Sequence, residues 1–375
     1  MDKQKVYFPN LNGLRFIAAF FVIIHHIEQI KSISNIDNFW DNPFVGIIGK
    51  LGVVLFFVLS GFLITYLLLT EEYSFQKISI RKFYMRRILR IWPLYFFIIT
   101  LAFLVLPNIN LFVLPNFGKD VIYSNLFSKL LLYVIFLPNL VLPLLGIVPY
   151  ASHTWSIGTE EQYYLVWPVI LKYLKKHRIS LMILIIASYL AFRFFLQTHY
   201  SNFIPYKEIF LAFWSSFNID CMAIGGLFAI LLFQKNKLLK LIQNDILFYL
   251  TIIFTTLLML KGIYVPYFHY EFYSVLFGII ILNFATNQTI KISLENKALN
   301  YLGNISYGLY MYHPIGIVLA LYICKTMNIV TNFLIYPFSV ALTIILAGLS
   351  YQHFESFFLK LKDKFSNINS GNIIT

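Results

Sequence analysis

Long apolar runs separated by short polar segments dominate the 375-residue chain. We interpret ten runs as membrane-spanning helices, for which roughly 20 residues each are needed. They cover residues 14–30, 45–69, 91–106, 163–174, 179–196, 209–233, 246–261, 273–285, 301–323 and 333–354. An eleventh run, 126–145, is interrupted by Pro138 and Pro143. Because prolines at membrane depth suit segments that do not cross, we expect this run to be re-entrant or interfacial.

Clusters of Lys and Arg orient these runs, because basic residues collect on the cytoplasmic side of a membrane. The clusters are Lys3 with Lys5 and the segments 77–90, 172–178, 235–240, 291–297 and 360–364. Ten crossings place all six clusters on the cytoplasmic side, with both termini cytoplasmic and 126–145 on the outer side. The predicted fold is an all-α polytopic membrane protein, with a membrane domain over 1–357 and a short basic tail over 358–375.

Composition agrees with this pattern. Hydrophobic residues make up 59 % of the chain and charged residues 12 %, against about 25 % charged residues in a soluble domain. A soluble globular fold and a disordered chain are both excluded. The net charge of +13 indicates basic residues at the cytoplasmic membrane surface and does not indicate nucleic-acid binding. Cys221 and Cys324 stand far apart without a CxxC motif, so we expect no metal site.

Arg15 and His26 are ionisable residues within the first run, where polar groups are costly. Eleven residues apart, they lie on one helix face about 16 Å apart along the axis. A cation below a buried imidazole suits an anionic cofactor whose reactive end reaches the imidazole. The alternative is an arginine that extends to lipid phosphate and a histidine packed against a neighbouring helix.

A second polar group precedes and opens the fourth run. It comprises His153, Trp155, Ser156, Glu160 and Glu161. Acidic residues at a helix N-terminus are stabilised by the helix dipole, and the pair is also suited to orient a histidine or a sugar hydroxyl. The aromatic residues of this segment form either an interfacial belt or a carbohydrate platform.

Two further motifs accompany later runs, one at a cytoplasmic end and one inside the membrane. Arg86, Arg87 and Arg90 suit phosphate recognition, although basic residues also anchor helices on this side. His313 is followed by Pro314. A proline within a membrane helix frees a backbone carbonyl and often marks a cavity.

Together these motifs resemble the membrane acyltransferase-3 family of bacterial O-acyltransferases, over about residues 7 to 355. Five segments carry the resemblance, in the family's order: Arg15-x10-His26; Gly52-Val-Val-Leu-Phe-Phe-Val-Leu-Ser-Gly61-Phe-Leu-Ile; Phe83-x-x-Arg86-Arg87-x-x-Arg90-Ile-x-Pro93; Trp155-Ser156 to Glu160-Glu161-Gln-Tyr-Tyr-Leu; and Gly303-x-Ile-Ser306-Tyr307 to His313-Pro314. Two positions depart from it. Val54 replaces a polar or acidic residue, and Asn218 stands where a basic residue is expected.

The resemblance implies acyl transfer from cytoplasmic acyl-CoA, usually acetyl-CoA, to an extracytoplasmic acceptor across the bacterial inner membrane. No permanently bound cofactor is expected. The implied acceptor is a sugar hydroxyl of O-antigen, capsule or exopolysaccharide, free or lipid-linked. The chain ends soon after the last run, so we expect it to act without the appended esterase domain of some members, or with a separate partner.

The resemblance also implies residue roles. His26 is the general base or a transient acyl carrier, and the catalytic group comprises His26, Arg15, Glu161 and Glu160. In this assignment Arg86, Arg87 and Arg90 bind the phosphates of CoA. Further candidates for substrate contacts or structural support are His153, Trp155, Ser156, Tyr307 and His313. A transporter or flippase of a lipid-linked sugar is the main alternative, because Pro-broken helices and buried histidines also suit transport. A sensory membrane protein is a third.

Overall fold

A computed structural model describes residues 5–370, and its secondary structure is almost entirely helical. The α-helices in this range are α1 Leu11–Ile33, α2 Pro43–Phe75, α3 Ile80–Thr100, α4 Lys119–Tyr123, α5 Leu126–Val134, α6 Pro138–Leu145, α7 Trp155–Tyr173, α8 Arg178–Gln197, α9 Lys207–Phe217, α10 Ile219–Phe233, α11 Leu239–Ile242, α12 Asp245–Leu260, α13 His269–Thr286, α14 Lys297–Asn304, α15 Ser306–Thr326, α16 Asn332–Ser350 and α17 Ser356–Asp363. Short 3-10 or π turns cover Leu101–Val105, Leu106–Asn108, Asn110–Phe112, Ser152–Thr154, Lys175–His177, His199–Ser201 and Tyr351–Glu355. Two two-residue strands, β1 Lys5–Val6 and β2 Asn369–Ser370, pair in parallel.

The chain is a multi-pass membrane protein. Seven helical segments among the described residues are long and apolar enough to cross a bilayer. They are Leu11–Ile33, Pro43–Phe75, Ile80–Asn108, Lys175–Gln197, Lys207–Phe233, Ser306–Thr326 and Asn332–Asp363. Helices α7, α12 and α13 coincide with the other three predicted runs, but they are shorter or more polar.

The interrupted run 126–145 forms two short helices, α5 and α6. The chain turns between them at Phe136, whose φ is 58°, and Pro138 begins α6. With 9 and 8 residues, each helix is only about 12–14 Å long, too short to cross a bilayer. Helix α6 packs against α5, α7 and α9.

Helix α2 lies at the centre of the bundle, packed against α1 and α10. Its contact with α10 depends on two glycines. A Cβ on Gly61 would overlap the Met222 carbonyl oxygen, and one on Gly225 would overlap the Val58 carbonyl oxygen. Small residues at such crossings let helix backbones approach closely, which is how helices associate within lipid.

A buried ion pair joins one end of α1 to α16. The Lys31 amine lies 2.7 Å from Glu28 Oε1, and both side chains are fully buried. Tyr336 donates to the same carboxylate oxygen at 2.6 Å, and Lys31 also donates to Asn332 at 2.7 Å. The Phe39 backbone N–H donates to the other oxygen. Glu28 is therefore fully engaged in holding helix ends together.

At the opposite end of the bundle, the segment after α16 folds back on α3. Helix α17 packs against α3, and Arg86 donates to the Phe365 carbonyl at 3.0 Å. Arg86 also pairs with Glu71 at 3.4 Å. The expected tail, 358–375, thus contacts the bundle as far as it is described, whereas residues 371–375 and Lys3 lie outside the described residues.

The N-terminal segment is tied to the loop before α14. Glu295 accepts hydrogen bonds from the Tyr7 hydroxyl, the Asn10 backbone N–H and the Asn300 side chain. Partial burial raises the pKa of the Glu295 carboxyl, but these hydrogen bonds outweigh it and leave the pKa below its usual value.

The glycine contact between α2 and α10 gives a prediction about stability. Gly61→Ala places a Cβ against a backbone oxygen, and we expect it to destabilise the protein by about 1–3 kcal/mol, as overpacking does. Gly46→Ala in the same helix is the control, because nothing lies within 4 Å of a Cβ built there. Thermal unfolding in detergent measures both. Equal midpoints would contradict the close approach.

Candidate active site

Two cavities lie along the inner faces of α1, α2, α7 and α15. The histidine cavity has a volume of about 280 Å³. Its polar and aromatic lining includes His25, His26, Lys50, His153, Trp155 and Tyr310. The arginine cavity has a volume of about 120 Å³. Its polar lining includes Arg15, Ser60, Arg87, Arg90, Glu160 and Tyr307.

Val53 and Tyr310 line both cavities, so they form the wall between them. Hydrogen bonds hold the Tyr310 hydroxyl in place. It lies 2.7 Å from Ser156 Oγ and donates to the His153 carbonyl oxygen. The wall thus joins α15 to the start of α7.

Four histidines cluster at the histidine cavity. The ring centres of His26 and His313 lie 4.6 Å apart, and those of His153 and His313 lie 5.0 Å apart. His25 stands 5.1 Å from His26. The structure therefore brings together residues of the first and ninth predicted runs and of the segment that precedes the fourth.

The hydrogen bond of His26 settles its tautomer. Nδ1 lies 2.8 Å from the Val22 carbonyl oxygen. A carbonyl only accepts, so Nδ1 carries the proton, and in the neutral ring Nε2 keeps its lone pair. An imidazole in this form can take a proton at Nε2.

His313 is oriented by the proline that follows it. Pro314 has no backbone N–H, so the helical hydrogen bond to the Tyr310 carbonyl cannot form. His313 Nδ1 lies 2.6 Å from that carbonyl and takes the missing donor's place. His313 Nε2 is buried and has no hydrogen-bond partner among the described residues. The His-Pro sequence therefore fixes the ring with its lone pair at Nε2.

His153 lies in the turn Ser152–Thr154, just before α7. Burial, with a smaller contribution from His26, lowers the pKa of His153 to about 3, so the ring is neutral at neutral pH. Its Nε2 also has no partner within residues 5–370. The histidine cavity thus holds a neutral imidazole beside His313.

The arginine cavity gathers three guanidinium groups from two helices. Arg87 and Arg90 are three residues apart on α3 and share a face, and Arg15 comes from α1. Arg15 donates to Asn12 at 3.1 Å. The Arg87 guanidinium lies 5.3 Å from the centre of the Tyr164 ring, and its Nε has no partner in the described part of the chain. Such a group suits binding of phosphate oxygens.

The two adjacent glutamates have different surroundings. Glu160 lines the arginine cavity and accepts hydrogen bonds from Ser60 at 3.2 Å and Tyr164 at 2.8 Å. Glu161 accepts from Trp92 at 3.0 Å and lines neither cavity. The segment 153–161 therefore contributes His153 to one cavity and Glu160 to the other, and Glu160 does not adjoin the imidazoles.

The structure also shows what the remaining residues predicted from the sequence contact. Trp155 lines the histidine cavity, and Ser156 lines the arginine cavity while bonding Tyr310. Tyr307 donates to the Ile91 carbonyl at 2.8 Å, so its hydroxyl proton is already engaged. Arg86 points to Glu71 and does not line the arginine cavity with its two neighbours.

Sequence reasoning missed Lys50 and the wall residue Tyr310. Lys50 is a lone cation in the apolar run 45–69, and a charge at that position was a detectable signal. Tyr310 stands inside the motif that ends at His313, but the sequence carried no sign that it divides two cavities. No group of three or more His, Cys, Asp or Glu side chains within residues 5–370 is arranged to hold a metal ion.

Comparison with known families agrees with this arrangement. The model of a family described as an acyltransferase domain, the acyltransferase-3 family, matches residues 8–352. The chain belongs to that family. The match ends before α17 and includes every residue that lines either cavity.

Several bacterial proteins are similar to this member of the acyltransferase-3 family. O-acetyltransferase OatA of Staphylococcus aureus (strain NCTC 8325 / PS 47) is 28 % identical over 373 residues, which cover 93 % of this chain and 57 % of that protein. Peptidoglycan O-acetyltransferase OatA of Listeria monocytogenes is 26 % identical over 376 residues, 94 % of this chain and 56 % of that protein. The chain thus spans little more than half the length of these relatives. No solved structure matches it.

The bond between His313 and the Tyr310 carbonyl gives a second prediction. Pro314→Ala supplies a backbone N–H that competes for the carbonyl, so the Nδ1-protonated form of His313 should decline. Nitrogen NMR of histidine-labelled protein in nanodiscs measures this, with His313→Gln used to assign the signal. Pro337→Ala, which changes a proline inside α16, is the control. An unchanged His313 signal would show that Pro314 does not orient the ring.

Proposed function

We propose that this chain is an integral-membrane O-acyltransferase that moves an acyl group, most simply acetyl, from cytoplasmic acyl-CoA to a hydroxyl of an extracytoplasmic glycan. The observation that carries the proposal is the pair of cavities on either side of Val53 and Tyr310. One collects guanidinium groups suited to an anionic donor. The other collects imidazoles suited to proton transfer. Membership of the acyltransferase-3 family supports the same reaction class.

The proposed topology has ten crossings with both termini in the cytoplasm. The crossings are α1, α2, α3, α7, α8, α9 with α10, α12, α13, α15 and α16. This arrangement places every basic cluster on one side, as the distribution of Lys and Arg in inner-membrane proteins requires. Helices α5 and α6 then lie on the outer side as a re-entrant or interfacial pair. The bacterial inner membrane is the proposed location.

In this topology the arginine cavity belongs to the cytoplasmic half. Arg15 lies in the second turn of α1, and His26 stands about 16 Å further along the same helix. The phosphates of acyl-CoA bind Arg87, Arg90 and Arg15. The pantetheine arm of the donor extends from the arginine cavity past Val53 and Tyr310. Its thioester then lies near His26.

The proposed reaction uses the unprotonated Nε2 of the neutral His26 ring. The imidazole takes the proton of the acceptor hydroxyl while the hydroxyl oxygen attacks the thioester carbonyl carbon. The new C–O bond forms as the C–S bond breaks. The departing CoA sulfur receives the proton from the imidazolium, so that the ring returns to its neutral form. His313, in ring contact with His26, supports its position.

The acceptor is proposed as a glycan of the cell envelope. Sugars of O-antigen, capsule and exopolysaccharide were the expected acceptors. The name of the Listeria relative specifies peptidoglycan, which therefore joins them as a candidate. A separate extracytoplasmic esterase or transferase is a possible partner in the proposed scheme, because the matched relatives extend well beyond the aligned region.

His26 provides the test of the proposed activity. Proton NMR of surface glycans and muropeptides should show an O-acetyl methyl signal, labile to mild alkali, in a strain that carries the wild-type chain. A deletion strain should lack it. Complementation with His26→Ala should fail to restore the signal, whereas His177→Ala should restore it, because His177 is exposed and lines neither cavity.

Other results would change the assignment. A signal present in every strain would remove the chain as the source of that modification and favour a transporter or flippase. Restoration by His26→Ala would remove His26 from the mechanism. Immunoblots of membrane fractions establish that each variant is inserted.

Donor binding gives a fourth prediction. Arg90→Gln should raise the KM for acetyl-CoA about tenfold, because it removes a charge-assisted contact to phosphate, with a smaller effect on kcat. Arg178→Gln is the control. Arg178 is a basic residue of the same membrane side in the proposed topology, paired with Glu72 at 2.6 Å and outside the cavity. Equal KM values for the two variants would argue against the arginine cavity as the donor site.

A further inference from the structure

Lys50 is a charged residue within the apolar part of α2. It lies seven residues after Pro43, where α2 begins, or about 10 Å along the helix axis. Its side chain lines the histidine cavity together with His25 and His26. A lysine at such a depth is costly unless something compensates its charge, and it usually serves a function.

Aromatic rings are the contacts that Lys50 makes. Its Nζ lies 3.8 Å from the centre of the Trp155 ring and 5.2 Å from that of Tyr270. Ring faces attract a cation but accept no strong hydrogen bond, so the three N–H groups stay available. Within residues 5–370, no carboxylate lies within 4.0 Å of this amine and no hydrogen bond from it is formed.

Three buried cations of this half of the bundle are satisfied by the protein. Lys31 pairs with Glu28 at 2.7 Å. Lys129 donates to the Val121 carbonyl at 2.6 Å. Arg193 pairs with Glu271 at 2.9 Å. Lys50 differs from them because its amine faces a cavity and not an acceptor of its own chain.

The surroundings of Lys50 define what the cavity can hold. Neither Asp nor Glu is among the residues that line it. The buried acids Asp220 and Glu271 group with Arg193 and do not line the cavity, and Asp220 attracts Lys50 only from beyond salt-bridge distance. The cavity therefore presents the Lys50 cation and the His26 imidazole to a bound molecule, with no acidic side chain in its lining. An acceptor that carries a negative group matches this combination.

We infer that Lys50 binds an anionic oxygen group of the acceptor, a carboxylate or a phosphate, and that the histidine cavity thereby selects acidic sugars. The inference rests on the proposed function, because it takes the histidine cavity as the acceptor site. Lys50 is a binding residue in this scheme and takes no part in proton transfer. The carboxylate of a sugar acid and the phosphate of a lipid-linked sugar share this chemistry.

Equilibrium binding without any acyl donor tests the inference. The full chain in nanodiscs is dialysed against two radiolabelled pairs of probes that differ in charge. The first pair is trigalacturonate and its carboxamide, and the second is glucose 1-phosphate and methyl glucoside. Wild type should bind at least one anionic probe about tenfold more tightly than its neutral counterpart, as a charge-assisted contact implies. Preference in the first pair identifies a sugar carboxylate, and preference in the second identifies a phosphate.

Variants of Lys50 test whether its charge causes the preference for anionic probes. Lys50→Met should bind the anionic and neutral probes equally, whereas Lys50→Arg should keep most of the preference. Lys207→Met is the control. Lys207 donates to the Thr198 carbonyl at 2.8 Å at the start of α9 and does not line the cavity. Thermal unfolding of each variant shows whether the fold is retained.

The outcomes separate this inference from the proposed function. If wild type shows no preference for either anionic probe, or if Lys50→Met keeps the preference, the inference is overturned, even where O-acetylation in cells is intact. If the preference follows the charge at position 50 while O-acetylation is absent from every strain, the anion site stands and the acyltransferase proposal fails.

Discussion

Pro314 interrupts the hydrogen-bond ladder of α15 in a buried part of the bundle. The carbonyl that it frees belongs to Tyr310, and the neighbouring His313 ring fills the gap. The hydroxyl of the same tyrosine bonds Ser156 and the His153 carbonyl. One residue thus orients an imidazole through its backbone and divides two cavities through its side chain. Loss of this arrangement would disturb both the wall and the histidine cluster.

The two cavities have different chemical characters, and Val53 and Tyr310 lie between them. Guanidinium groups of Arg15, Arg87 and Arg90 lie on one side. Imidazoles lie on the other, where His153 is neutral because its burial lowers its pKa. A positive group placed directly against an imidazole would also disfavour its protonated form. Separation along α1 therefore lets one helix serve an anionic donor and a proton acceptor.

Charged residues inside this bundle have two distinct uses. Glu28 and Lys31 satisfy each other and tie α1 to α16, so their charges stabilise the fold. Lys50 has no such partner in the described part of the chain and borders a cavity. Sequence position alone does not separate these uses, because all three residues interrupt or flank apolar runs. The difference lies in whether the protein itself supplies the opposing group.

Much of the architecture is determined by the sequence itself. Apolar runs predict helices because backbone groups in lipid must form their hydrogen bonds within the chain. The prolines of 126–145 predict the break between α5 and α6. Helix geometry alone places Arg15 and His26 on the same face of α1. Motif order was enough to indicate the family that the comparison confirms.

Only the tertiary structure decides which of two adjacent residues reaches a cavity. Arg87 lines the arginine cavity while Arg86 turns to Glu71, and Glu160 lines it while Glu161 contacts Trp92. Neighbouring side chains on a helix point about 100° apart, so the rotation of each helix against its partners selects one of them. That rotation is set by packing, such as the glycine contact between α2 and α10, which depends on residues far apart in the chain.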